Sequence, residues 1–451
     1  MSYDYSYDNN GNITEIKQNG KLTNKYVYDS LNELKEEYDY VNKFYINYSY
    51  DGAGNLQNKY EQVLDPTYGY PTGTQNGNTY EYTDTSWKDK LTKINGDNIT
   101  YDANGNPLSY RDGMSMTWKN GRQLATLTNG DTSISYGYDS DSVRTTKTVN
   151  GVKYTYAYLN GQLMYETRGD AKFYYSYDAN GILYNVRYTL TDGGTEYSYY
   201  YTHNSRGDIV GIYNGAGELK AHYEYDAWGN VISITDNNGN AITNPNHIGN
   251  LNPFRYRGYY QDTETGLYYL MSRYYDPITH RFINADGYFQ SGTSILDANT
   301  FAYCGNNPVL NVDPLGACKV PNYTSAGTYI GHTWKIKESV PGVPGFCNVC
   351  KGYGSNAPSN TSHSFVISSY TTPSTKKQDY NTWNKVADSF GAIFCSLEVD
   401  FDAGFGFGFD VTDIFSIKAM GKHTLISVHF DEQGFSFGKT DSVEVSAGVC
   451  G

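Results

Sequence analysis

The sequence predicts a mainly β protein, in which a long antiparallel repeat array is followed by a smaller α+β unit, and three observations lead to that class. The chain of 451 residues carries 49 tyrosines and 47 glycines, while charged residues make up 18%, below the ~25% of an average globular protein. A Tyr-x-Tyr-Asp unit recurs along the first half. Composition then changes near Gly316, because 44 tyrosines precede it and 12 of the 18 phenylalanines follow it. A helical bundle or an α/β nucleotide-binding enzyme would need Ala, Leu, Glu and Lys where this chain has Tyr, Thr, Val and Gly.

Taken in order, the repeat units begin at Tyr5, Tyr26, Tyr48, Tyr136, Tyr175 and Tyr223, with variants at Tyr80, Ile99 and Tyr154. Each reads as a strand whose alternate tyrosines share one face. Four units continue as Asp-x-x-Gly-Asn, at Asp8, Asp51, Asp102 and Asp226. There an aspartate starts a turn and glycine takes the position that needs positive φ. Asn-Gly pairs at Asn19, Asn95, Asn120, Asn150 and Asn160 mark tight hairpins between successive strands. A single hairpin buries too little surface to stand alone, so neighbouring units must stack into an extended sheet or coiled shell.

Downstream, Asn252-Pro253-Phe254-Arg255-Tyr256-Arg257-Gly258 leads into Gly266-Leu267-Tyr268-Tyr269-Leu270 and Arg273-Tyr274-Tyr275-Asp276-Pro277. The segment ends in Arg281-Phe282, Asp286, Gly305-Asn306-Asn307-Pro308 and Asp313-Pro314-Leu315-Gly316. These runs and the Tyr-Asp units together resemble the RHS (YD-repeat) family and its repeat-associated core domain. The resemblance implies three parts: a repeat shell over residues 1–240, a core domain over 241–316, and a variable, polymorphic-toxin-like domain over 317–451. It also implies a secreted or surface location, a shell that encloses and delivers the last domain in bacterial competition, and an immunity protein and a secretion apparatus as partners. About ten units are fewer than family shells use, which implies a partial shell and a chain cut from a longer parent. The opening Met1-Ser2-Tyr3 has neither the basic nor the apolar region of a signal peptide, so an export signal is expected upstream, or else a route that needs none.

Some members of this family cleave themselves after the Asp-Pro-x-Gly end with two carboxylates that share a proton. The matching positions here are Asp286 and Asp313, with cleavage near Gly316. Two close acids split their pKa values, so one activates water while the other donates a proton. Two positions depart from the cleaving pattern: Gly287 stands where proline is favoured, and Ala317 where leucine commonly follows the last glycine. The plainer alternative is that Asp313 starts a proline turn and Asp286 lies in a surface loop.

Residues 317–451 match no family pattern and are read from their residues alone. Strands are expected over 328–337 and 362–370, and a helix over 382–395 puts Trp383, Val386, Phe390, Ile393 and Phe394 on one face. From Leu397 to Val411 apolar residues alternate strictly, as one long strand or a bent pair, and a hairpin turns at Asp431 to Gly434. That alternation fits a half-buried strand, or a membrane-inserting hairpin that would make the tail a pore or a structural cap. Cys347 and Cys350 suit half of a zinc site completed by His363 or Cys395, or else disulfide partners in an oxidising compartment. No His-x-Glu precedes them as a zinc deaminase would require. His332, His363, His423 and His429 are candidate acid–base groups. The net charge of −14 argues against broad binding of phosphate backbones, and no apolar run reaches 18 residues, so a transmembrane helix is excluded.

Overall fold

A computed structural model describes residues 2–65, 67–287, 295–317 and 319–321, together with the backbone of five strands between Val399 and Thr440. The chain divides into two units, residues 1–354 and 355–451, and each is described by itself. In the first, strands follow one another in sequence order. A nine-stranded sheet runs from Tyr3–Tyr7 to Asp97–Asn98, and a fourteen-stranded sheet from Thr100–Tyr101 to Val231–Thr235. Every pairing in them is antiparallel, and the described sheets close no barrel.

The repeat sequence accounts for this geometry step by step. In the strand Phe44–Tyr50, Phe44, Ile46 and Tyr48 are buried on one face. Pairing slips by a residue just before the second tyrosine of the unit, between Val27 and Tyr28, Ser49 and Tyr50, Ser176 and Tyr177, and Glu224 and Tyr225. These are β-bulges, which bend the strand and sharpen its twist. The tyrosine hydroxyl then donates to a carbonyl in the preceding unit: Tyr28 to Ile13 at 2.7 Å, Tyr50 to Leu34 at 2.8 Å, Tyr177 to Leu163 at 3.0 Å and Tyr225 to Ile209 at 2.7 Å. The second tyrosine is thus a stitch between units as well as an apolar side chain.

The turns form as the sequence predicts. Asp51 Oδ1 accepts the backbone N–H groups of Ala53 and Asn55, both at 2.9 Å, and its Oδ2 accepts Asn55 Nδ2 at 3.1 Å. Asp8, Asp102 and Asp226 accept backbone N–H groups at the same two offsets. So do Asp29 and Asp139, where Asn32 and Ser142 take the positive φ that glycine takes elsewhere. Four of the five Asn-Gly pairs are two-residue turns with both residues at positive φ. At Asn120 the loop is longer by Arg122, since Lys119 pairs with Gln123.

Between Tyr260 and Phe282 the core segment forms its own four-stranded antiparallel sheet. Its strands are buried along their whole length, because the repeats meet both faces: Arg144 and Tyr138 at Tyr269 and Tyr274, and the carbonyls of Gly229 and Trp228 at Tyr268 and Tyr275. Buried polar groups fasten it to the array. Arg144 Nη1 meets Asp262 at 2.7 Å, Lys147 reaches Asp262 at 3.1 Å and Glu264 at 2.9 Å, and Arg111 Nε meets Asp276 at 2.7 Å. Asparagines then contact the repeat turns: Asn299 donates to Asn55, Asn306 to Glu33 and Gly54, and Asn307 to Asn12 and Asn32.

In the second unit five strands, Val399–Phe401, Phe405–Val411, Phe415–Gly421, Thr424–Asp431 and Gly434–Thr440, make one antiparallel sheet in sequence order. The alternating stretch from Leu397 to Val411 is therefore two strands rather than one, with Val399 opposite Phe407 and Phe401 opposite Phe405. The hairpin expected at Asp431 to Gly434 is present. The helix expected at 382–395, the strands at 328–337 and 362–370, Cys347, Cys350, His332, His363 and His423 lie outside the described residues, and His429 is described only as backbone in its strand. Among the described residues no helix is long and apolar enough to cross a membrane.

Candidate self-cleavage site

Asp286 and Asp313 come together across 27 residues of chain, and what joins them is Arg273. Its Nη2 lies 3.0 Å from Asp286 Oδ2 and 3.5 Å from Asp313 Oδ2. The three groups line one cleft with Thr300, Cys304 and Lys319. Arg273 starts a core strand, is buried, and stacks its guanidinium over the Phe282 ring at 3.5 Å. Burial lowers its pKa below the ordinary arginine value, against the pull of Asp286 and Asp313, and a guanidinium stays charged in such a site. The two acids therefore share a cation, where the sequence alone suggested that they share only a proton.

Both aspartates have a backbone reason for their position. The Asp286 N–H donates to Thr300 O at 2.8 Å. Arg122, from the three-residue loop of the array, donates to the carbonyls of Ala285 at 2.6 Å and Asp286 at 2.5 Å. A Cβ at Gly287 would lie 3.0 Å from Arg122 Nη1, so the absence of proline there leaves room for this arginine. Asp313 is nearly inaccessible, and its N–H donates to Tyr259 Oη at 3.1 Å. It does start a turn, since its Oδ1 accepts the Ala317 N–H at 3.0 Å. The turn and the acid pair are one structure, and the Asp286 side chain is turned inward onto Arg273.

The bond after Gly316 is held from both ends. Arg273 Nε donates to the Gly316 carbonyl, and the Ser272 hydroxyl lies 2.6 Å from that oxygen and 2.6 Å from the Leu315 carbonyl. Gly316 has φ +67°, and a Cβ on it would come within 2.9 Å of Leu270 O, so only glycine fits. Beyond it the chain stays hydrogen-bonded to the core, with Asn311–Val312 paired to Val320–Pro321. Cys304 is an unsuitable nucleophile, because burial, helped by Asp313, pushes its thiol well above the ordinary value. Among the described residues no cluster of His, Cys, Asp and Glu could hold a metal ion. Sequence reading missed Arg273 and Ser272. Arg273 stood inside a quoted motif, but nothing local marks its target 43 residues away.

Fold and site define a class: a tandem β-repeat protein whose core segment is buried against the repeats and ends in a paired-carboxylate cleft. The chain carries repeats of the RHS (YD-repeat) family. The family model described as RHS Repeat matches residues 203–241. The chain is 36% identical over 299 residues to the tRNA3(Ser)-specific nuclease WapA of Bacillus spizizenii, a match covering 64% of this chain and 12% of that protein. It is 26% identical over 375 residues to the double-stranded DNA deaminase toxin A of Burkholderia cenocepacia, covering 76% of this chain and 23% of the toxin. The chain thus spans less than a quarter of the length of these relatives. Among solved structures, the crystal structure of TcdB2-TccC3-Cdc42 aligns with a TM-score of 0.54 at 20% identity over 70% of this chain and 17% of that chain. That likeness is one of fold.

Proposed function

We propose that this chain is part of an exported or surface RHS protein that presents residues 317–451 as a C-terminal effector and cuts the connection at Gly316. The observation that carries the proposal is the held peptide bond: its carbonyl bonded by Arg273, its N–H bonded by Asp313, and Asp286 on the same guanidinium. Cleavage is hydrolysis. Asp286 takes a proton from water as the water oxygen bonds to the Gly316 carbon, and the carbonyl oxygen becomes an oxyanion beside Arg273. The carbon–nitrogen bond then breaks. Asp286 passes the proton it took from water to the departing nitrogen, which the Asp313 carboxylate holds in place through the Ala317 N–H that its Oδ1 accepts.

The relatives that are named toxins and nucleases support the effector reading of the tail, and with it an immunity protein and an export machine as partners. Intact-mass spectrometry of the full chain tests the cleavage. Fragments 1–316 and 317–451 are expected from the unaltered protein and a single uncut mass from the Asp286→Asn, Asp313→Asn double variant. Fragments that persist in the double variant would assign the cut to another nucleophile or to a contaminating protease. Expressing residues 317–451 in bacteria tests the effector, since unchanged growth argues against a toxin.

A further inference from the structure

We propose that Ser272 is a catalytic residue of this self-cleavage, donating its hydroxyl proton to the Gly316 oxygen as that oxygen becomes negative. The assignment rests on the cleavage reading above. In the resting chain one hydroxyl proton faces two carbonyls at the same distance, Leu315 O and Gly316 O, both 2.6 Å away. A hydroxyl has a single proton to donate. When water adds to the Gly316 carbon, charge gathers on one of those two oxygens and the shared proton commits to it. The bond is therefore stronger in the transition state than in the ground state, which is the condition for raising a rate.

Local structure holds the hydroxyl in this position. Leu270 pairs with Arg273, leaving Met271 and Ser272 as a two-residue turn, and Met271 takes φ +59°. A left-handed methionine is strained, and such strain gathers at functional positions. From this turn the Ser272 backbone N–H also reaches Leu315 O, at 3.2 Å. Gly316 answers the turn with its missing side chain, since a Cβ there would lie 3.0 Å from Ser272 Oγ and 3.2 Å from Arg273 N. Serine and arginine are adjacent in sequence, and both direct a donor at one carbonyl.

Ser272 is exposed as a residue, so water competes for its hydroxyl. Its loss should cost less than the ~10²–10³ in rate seen when a buried oxyanion donor is removed. The test is a time course of cleavage after cell-free synthesis of the full 451-residue chain, read by intact mass, for the unaltered chain, Ser272→Ala, Ser272→Thr and Asp313→Asn. The expected result is a cut between Gly316 and Ala317, slowed at least tenfold in Ser272→Ala, largely recovered in Ser272→Thr, and absent in Asp313→Asn. Ser272→Ala cleaving at the unaltered rate overturns the proposal and leaves the aspartate reading intact. Equal slowing in alanine and threonine variants overturns it too, as a packing effect would do the same. An unaltered chain that stays uncut sinks both readings.

Discussion

Replacing Asp262 by asparagine should loosen the core segment from the repeat array, and the size of the effect can be worked from its partners. Asp262 is fully buried between Arg144 at 2.7 Å and Lys147 at 3.1 Å. Burial opposes its charge, yet Arg144 and Lys147 outweigh that and hold its carboxyl below the usual range. Asparagine keeps the shape and removes the charge. Lys147 retains Glu264 at 2.9 Å, but Arg144 is left fully buried with no other carboxylate in contact among the described residues, its guanidinium among the rings of Tyr156, Tyr260 and Tyr269. Removing one partner of a buried pair costs roughly 3–5 kcal/mol, which is about two to three and a half decades in an equilibrium constant. Hydrogen-exchange mass spectrometry of the full chain reads this directly as lost protection over residues 260–276. The double variant Arg144→Met, Asp262→Leu should recover at least half of the loss, because no unpaired charge remains. Protection in Asp262→Asn within tenfold of the unaltered chain would refute the view that this pair fastens the core.

Two further predictions concern the repeats. Glu33 is buried against Asn306, and burial first, then Asp29, pushes its carboxyl up to about 8 against the lowering effect of the Asn306 hydrogen bond. Folding therefore takes up a proton between the ordinary carboxylate pKa and about 8, so this group's contribution is complete below that window and lost above it. Protection of the Cys304 to Asn307 segment should fall from pH 5 to pH 8, and Glu33→Gln should flatten the dependence. An unchanged slope in that variant would place the titrating group elsewhere. Asp51→Ala removes three hydrogen bonds from one turn, and should cost on the order of 1–2 kcal/mol, confined to exchange at residues 51–55. Loss of protection across the whole nine-stranded sheet would contradict so local a role.

The sequence by itself determined the repeat fold, because its signals act within a few residues. An aspartate meets the N–H groups two and four positions on, as at Asp8, and an Asn-Gly pair takes positive φ wherever it stands, as at Asn150 and Gly151. Alternating tyrosines likewise settle which face of a strand is buried. The two aspartates of the proposed cleavage site were legible through the family resemblance, although not through any local pattern. Only the tertiary structure decided that Arg273 stands between them, that Ser272 faces the Gly316 carbonyl, and that Arg144, an ordinary strand arginine in sequence, is sealed inside the core. The contacts involved join residues 13 to more than 100 positions apart. A buried charge is stable only where the fold brings an opposite charge to it, and for Arg144 that charge, Asp262, lies 118 positions along the chain.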